Sequence, residues 1–250
     1  MTYCLGILLS GGLVLASDSR SNAGVDQVTE VRKLALIAKP GERVIAILSA
    51  GNLATSQSVV TQLGQWTGSG EPGRDLHAAR TMYDVASLVG GKLREVVDAN
   101  RRYVKPYGDI AASFLVGGQI CGEAPRLFQV YSAGNFIEAS RRACYLQIGE
   151  TKYGKPILDR ALTPGSSLDH AAKLALLSFD ATIRSNISVA PPIDLLRYEA
   201  GSLSADNLVT IEDQNSHWME LRQAYSDGLA RLVDRLPAPP SAPTDDGSKP

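Results

Sequence analysis

The sequence predicts an α+β fold, a four-layer α/β/β/α sandwich of two mostly antiparallel sheets packed face to face with helices on the outer faces. Three observations predict it. Two apolar runs at the start of the chain meet at Gly11-Gly12, a hairpin signal. Helical patterns come in adjacent pairs between runs of strands, whereas a doubly wound sheet alternates one strand with one helix. The 250 residues, 44% hydrophobic and 20% charged, suffice for one large domain with a substantial core.

The elements follow in order. The first hairpin joins 3–9 to 13–17. Residues 21–30 are polar, carry Asn22 and Gly24, and read as a loop. Lys33 opens a third strand over 33–38, and Pro40-Gly41-Glu42 is a turn signal. Residues 43–50 form a fourth strand, apolar enough to be covered on both faces. Gly51-Asn52 then opens a helix to about Trp66, with Leu53, Val59, Val60 and Leu63 on one side. Three glycines and a proline make 67–74 a loop. Apolar residues from Met82 to Val97 recur at three- and four-residue spacing and predict a long helix over 76–102. Gly90-Gly91 weakens its centre by roughly 1 kcal/mol per glycine relative to alanine. Strands return at 110–116, 126–132, 136–140 and 145–149. A short helix spans 156–162 and a longer one 167–186, with Ser166 or Ser167 as N-cap and Asp169 in the first turn. Strands at 193–199 and 208–211 and an amphipathic helix over 215–236 close a single domain, 2–236. The Pro-rich stretch 237–250 has no apolar periodicity and is expected to be disordered.

Composition excludes several functions. The net charge of −1, from 25 basic and 26 acidic residues, argues against nucleic acid or an anionic membrane as partner. No apolar run reaches the roughly 20 residues of a membrane span, and the N-terminus does not read as a signal peptide. Cys4, Cys121 and Cys144 are odd in number and scattered, which points to buried, reduced thiols in a cytoplasmic protein and not to a disulfide framework or a zinc site. No metal or cofactor is expected. The glycines at 68, 70 and 73 make no phosphate-loop pattern. His77, His170 and His217 lie in separate predicted helices and read as surface or cap residues.

The chemistry gathers in the first fifty residues. Thr2 follows the initiator Met1 and is small enough for that methionine to be trimmed. A terminal threonine at the start of a strand can be a nucleophile with its own α-amine as base. That amine's unperturbed pKa of about 7.7–8.0 suits the task. A lysine nearby keeps the amine neutral and lowers the hydroxyl's pKa, and a carboxylate fixes the lysine. Asp18, at the end of the hairpin opposite Thr2, and Lys33, at the start of the next strand, fit by position. Gly51, after a buried strand and before a helix, can present an N–H to an oxyanion. Each residue alone has a plainer role: an Asx-turn for Asp18, a solvated strand end for Lys33, a strand-to-helix joint for Gly51. Arg20, Arg32 and Lys33 together could also bind an anion. The set, not any member, points to catalysis.

Thr2, the stretch Gly-Leu-Val-Leu-Ala-Ser-Asp-Ser-Arg over 12–20, Arg32-Lys33-Leu34 and Ser49-Ala50-Gly51-Asn52 together resemble the proteasome β-subunits, N-terminal nucleophile hydrolases. The hairpin end followed by Asn22-Ala23-Gly24-Val25-Asp26, the stretch Ile183-Arg184-Ser185-Asn186-Ile187-Ser188-Val189 and Pro192-Ile193-Asp194-Leu195-Leu196 are most similar to the Anbu subfamily, the bacterial proteasome-like ancestral β-subunits. The similarity covers about 2–235. It implies Thr2 as nucleophile, Asp18 and Lys33 as the charge pair beside it and the Gly51 N–H as oxyanion donor. It further implies Ser188 as support for the terminal amine, and Ser21 and Asn22 as the backbone lining of a cleft for a peptide or small amide. It implies homo-oligomers, rings or open spirals, and leaves any ATPase partner open. Two positions depart from the proteasome pattern. Ser185 stands where an aspartate follows the arginine, and Gly149-Glu150 stands where a Gly-Ser pair would be, so the amine-orienting network must differ. Those changes motivate a second reading, an oligomeric scaffold or binding protein with little or no peptidase activity. An amidase or transferase acting on a small substrate is a third.

Overall fold

The computed structural model describes residues 2–22, 28–71 and 73–240. Its first sheet has the order β10 (Tyr145–Gly149), β1 (Tyr3–Leu9), β2 (Gly12–Asp18), β11 (Ile193–Glu199) and β12 (Leu208–Ile211). Its second runs β5 (Leu34–Lys39), β6 (Arg43–Gly51), β7 (Ala112–Ile120), β8 (Arg126–Val130) and β9 (Phe136–Glu138). Every neighbouring pair is antiparallel. Helices α1 (Leu53–Trp66) and α2 (Met82–Val104) cover the second sheet. Helix α4 (Leu168–Ser185) covers the first, with α3 (Lys155–Ala161) and α5 (Ser216–Val233) packed on it. This is the expected α/β/β/α sandwich.

Four layers make three apolar interfaces, and the two-residue period of the strands divides the side chains among them. On β2, Leu13 and Leu15 face the other sheet, where they meet Leu34, Leu48, Leu115 and Leu127. Val14 and Ala16 face the opposite way, toward α4, with Leu5 and Ile7 of β1 and Phe179 of the helix. Ile45, Ile47 and Phe114 pack under Met82, Val85 and Val89 of α2. Side-chain caps start the helices: Asn52 accepts from the Thr55 N–H, Ser167 from His170 and Asn215 from Trp218.

The structure corrects the sequence reading in four places. Helix α2 starts at Met82 and not at residue 76, because Thr81 and Asp84 form a capping box there. The residues before it are turns, His77 among them. They are pinned by the Asp75 carboxylate, which accepts from the N–H groups of Gly68, Gly70 and His77, and by the buried Arg43 guanidinium, which donates to the carbonyls of Leu76 and Ala79. Strand β7 runs on to Ile120 because it pairs with β6 along its whole length, from Gly51↔Ala112 to Arg43↔Ile120. The stretch read as a loop over 21–30 contains a short hairpin, β3 (Arg20–Asn22) with β4 (Val28–Glu30). Cys121 is exposed at the turn after β7, while Cys4 and Cys144 are buried. The expected disordered tail lies outside the described residues from 241 onward.

Candidate active site

Strand β1 lies between β2 and β10, so its first residues are flanked on both sides. Tyr3 anchors it. Its ring is fully buried against Phe179, with centroids 4.6 Å apart. Its hydroxyl shares a 2.6 Å hydrogen bond with Ser178 and accepts one of 2.6 Å from the Gln147 amide. This ties the start of β1 to both α4 and β10, and leaves the preceding residue, Thr2, half-buried at the sheet's end. Met1 is outside the described residues.

On the β2 side, Asp18 Oδ1 accepts the Tyr3 N–H at 3.0 Å and the Lys33 ammonium at 2.8 Å. Lys33 also donates to the Arg20 carbonyl. Lys33 sits just before β5, and its own carbonyl accepts the Ser49 N–H of β6 at 3.1 Å. A carboxylate of one sheet thus meets an ammonium held by the other. Their side chains are 0% and 5% exposed, so little water screens the pair. Burial pushes the Asp18 carboxyl up from its ordinary value, against the pull of the Lys33 ammonium and the Tyr3 N–H. Asp18 Oδ2 is buried without a partner among the described residues. Next in sequence, Arg32 is committed to Asp194 through bonds of 2.9 and 3.3 Å, and Thr210 also donates to that carboxylate. Arg32 and Lys33 therefore clip the segment before β5 onto the first sheet, and these two of the three cations suggested for an anion are held in internal ion pairs.

On the β10 side, the Glu150 N–H donates to the Thr2 carbonyl at 2.7 Å. That approach depends on Gly149, whose φ is +82° and where a Cβ would lie 1.9 Å from the Thr2 oxygen. The Glu150 side chain is buried. Its Oε2 accepts from the Asn186 amide at 3.0 Å, and Asn186 Oδ1 accepts the Ser188 N–H at 3.0 Å. Ser188, half-buried in the loop after α4, thus reaches Thr2 only through Asn186 and Glu150 in the hydrogen bonds described. Ser185, the last residue of α4, is exposed and plays no part in this chain of bonds.

Gly51 ends β6 two residues beyond Ser49 and is exposed. Its φ of +102° and the Ala111 carbonyl, 2.4 Å from where a Cβ would stand, demand glycine there. Ser21 and Asn22 pair with Thr29 and Val28 in the β3–β4 hairpin that leaves the site after Asp18. Cys4 packs in the inter-sheet core with its thiol toward the Ser49 carbonyl, and burial pushes the thiol up, far from a nucleophilic thiolate. A groove of about 610 Å³ runs along α2 past Arg74, Ala78 and Asp84 and includes none of the site residues. Volume does not locate this site; converging buried charge does.

Asn186 and the Arg32–Asp194 clip are the functional-site features that the sequence did not reveal. Asn186 stood at the end of a predicted helix and in a stretch resembling the Anbu subfamily, but neither signal assigned its side chain a partner.

The proteasome-subunit family model matches residues 2–195. No curated protein sequence matches. Among solved structures, the chain is similar to Anbu (ancestral beta-subunit) from Yersinia bercovieri, at 42% identity over 96% of this chain and 99% of that one, with a TM-score of 0.90. It is similar to the helical assembly of the Anbu complex from Pseudomonas aeruginosa, at 44% identity over 96% and 98%, with a TM-score of 0.91. Anbu from Hyphomicrobium sp. strain MC1 is 42% identical over 96% and 100%, with a TM-score of 0.87.

Proposed function

The chain belongs to the proteasome subunit family, in its Anbu branch, and from that premise we propose that it is an N-terminal threonine hydrolase acting on peptide or small amide bonds. Thr2 is the nucleophile, freed by removal of Met1. One observation carries the reading: the buried Asp18–Lys33 pair, bonded to the N–H of the residue that follows Thr2. A buried pair needs excellent geometry to offset its desolvation, and it stands where a terminal threonine needs activation.

In the proposed reaction, Thr2 Oγ attacks the substrate carbonyl carbon and its proton passes to the α-amine. The Lys33 ammonium, held by Asp18, stabilises the negative charge that develops on Oγ. The Gly51 N–H donates to the oxyanion. Collapse expels the leaving amine, which takes the proton from the α-ammonium. Water then attacks the resulting ester and gives a proton to the same amine; collapse releases the acid and expels Thr2 Oγ, which takes that proton back. The β3–β4 hairpin, with Ser21 and Asn22, lines the approach. Homo-oligomeric assembly, as a ring or a spiral, is supported by the helical assembly of the Pseudomonas relative.

Glu150 favours a second reading, a scaffold with little hydrolysis, since a carboxylate beside the terminal residue holds its amine protonated. Intact mass and a threonine-directed covalent probe decide between the two. Loss of one methionine, with labelling that vanishes in Thr2→Ala, is the expected result. Retained Met1 overturns the hydrolase, because a blocked amine is no base.

A further inference from the structure

Two buried carboxylates flank the start of β1, and one buried ammonium answers them. Asp18 stands on the β2 side and Glu150 on the β10 side, 0% and 3% exposed. Lys33 is spent on Asp18 at 2.8 Å. Among the described residues Glu150 has no comparable partner. Its Oε2 accepts from a neutral amide, Asn186, at 3.0 Å, and its Oε1 has the Lys152 N–H at 3.4 Å. The Lys152 ammonium lies 3.8 Å away on a side chain 75% exposed, where solvent screens it. A carboxylate this buried is unfavourable unless a charge or a full set of donors answers it. Asn186 orients the group without neutralising it, so among the described residues the buried cluster is one positive charge short.

The chain end supplies that charge. The Glu150 N–H is bonded to the Thr2 carbonyl at 2.7 Å, so the residue bearing the unanswered carboxylate stands opposite the residue that bears an α-ammonium once Met1 is gone. We infer that Glu150, oriented by Asn186, is the counter-ion of the Thr2 α-ammonium and, as a positioning residue, sets the pH at which that amine becomes a base. This rests on Thr2 being the mature terminus.

The surrounding charges give the sign. Glu150 and Asp18 favour the ammonium, while Lys33 and, more weakly, the exposed Lys152 oppose it. Arg32 and Asp194 answer each other, as Arg184 and Arg222 answer Asp180. The Tyr3 phenol and the Cys4 thiol, both pushed up by burial, stay neutral and add no charge. Glu150 therefore holds the amine protonated to higher pH, and proton acceptance by the amine begins only as pH rises past that point.

The test reads the amine directly. The full chain is released from an N-terminal ubiquitin fusion so that Thr2 is first whatever the host does with Met1. Acetic anhydride labelling of the N-terminal peptide, followed by mass spectrometry across pH, gives the amine's midpoint. Glu150→Gln keeps the shape and the acceptor for Asn186, and its midpoint is expected to fall by about one unit. Lys152→Ala is expected to raise it by less. Coincident midpoints for wild type and Glu150→Gln overturn the inference; if Glu150→Gln does not fold, an unmoved midpoint in Asn186→Ala, which removes the amide that orients the carboxylate, overturns it. Labelling needs no turnover, so the two readings separate. A shifted midpoint without hydrolysis upholds the pairing and sinks the hydrolase, while hydrolysis with an unmoved midpoint does the reverse.

Discussion

Replacing Lys33 by methionine keeps the stem and removes the ammonium. Asp18 then retains only the Tyr3 N–H at 3.0 Å, and the Arg20 carbonyl loses its donor. Removing one partner of a buried pair costs about 3–5 kcal/mol, because the other charge stays buried and unanswered. Asp18 is 0% exposed, so no water takes the place of Lys33, and the upper part of that range is expected. The penalty depends on pH. Burial already pushes the Asp18 carboxyl up, and without Lys33 it goes further, so the folded state holds a proton that the unfolded state has lost. Stability is then fully present below the unfolded carboxylate pKa of about 3.9 and is lost as pH rises through the folded value. The gap between wild type and variant should therefore narrow from neutral toward mildly acidic pH. Adding Asp18→Asn to Lys33→Met removes the stranded charge and should restore at least half of the loss. Urea titrations at fixed protomer concentration, followed by tryptophan fluorescence, measure all of this. A cost below about 1 kcal/mol, the level of a surface ion pair, or no recovery in the double variant, would refute the reasoning.

Gly149→Ala places a Cβ where the Thr2 carbonyl now stands and strains a φ of +82°. It should cost about 2 kcal/mol or more by denaturant titration, and in an active enzyme lower kcat more than it raises KM. Phe179→Ala opens a cavity under Tyr3 and should cost about 3–5 kcal/mol in the same titration. A thiol reagent under native conditions should modify the exposed Cys121 promptly and leave Cys4 and Cys144 until the protein unfolds, since burial pushes both of those thiols up. Rapid reaction of all three would contradict the packing of β1 and β10.

Much of the fold was legible because its signals are short-range. Gly11-Gly12 marks the first hairpin, and Asn52, Ser167 and Asn215 cap helices close to where their side chains suggest. The period of Met82 to Val97 marks one face of α2. The errors came where long-range contacts overrule local preference. Residues 76–81 look helical until Arg43, more than thirty positions earlier, takes the carbonyls of Leu76 and Ala79. The β3–β4 hairpin has weak strand propensity and follows the chain leaving Asp18, so the register of β2 decides it.

By itself the sequence determined the class of fold, the layer order, and the three residues at strand ends, Thr2, Asp18 and Lys33, that suit a terminal nucleophile. Those follow from hydrophobic period and from the few residue types that start, turn or end an element. The tertiary structure closed the Lys33–Asp18 pair that the strand ends suggested, and it alone decided the others. Arg32 reaches Asp194, and Asn186 reaches Glu150 from the far end of α4. Each of these bonds joins segments distant in the chain, and each exists because sheet register and layer packing bring two side chains within 3 Å or so of each other; only around Lys33 and Asp18 is water shut out on both sides.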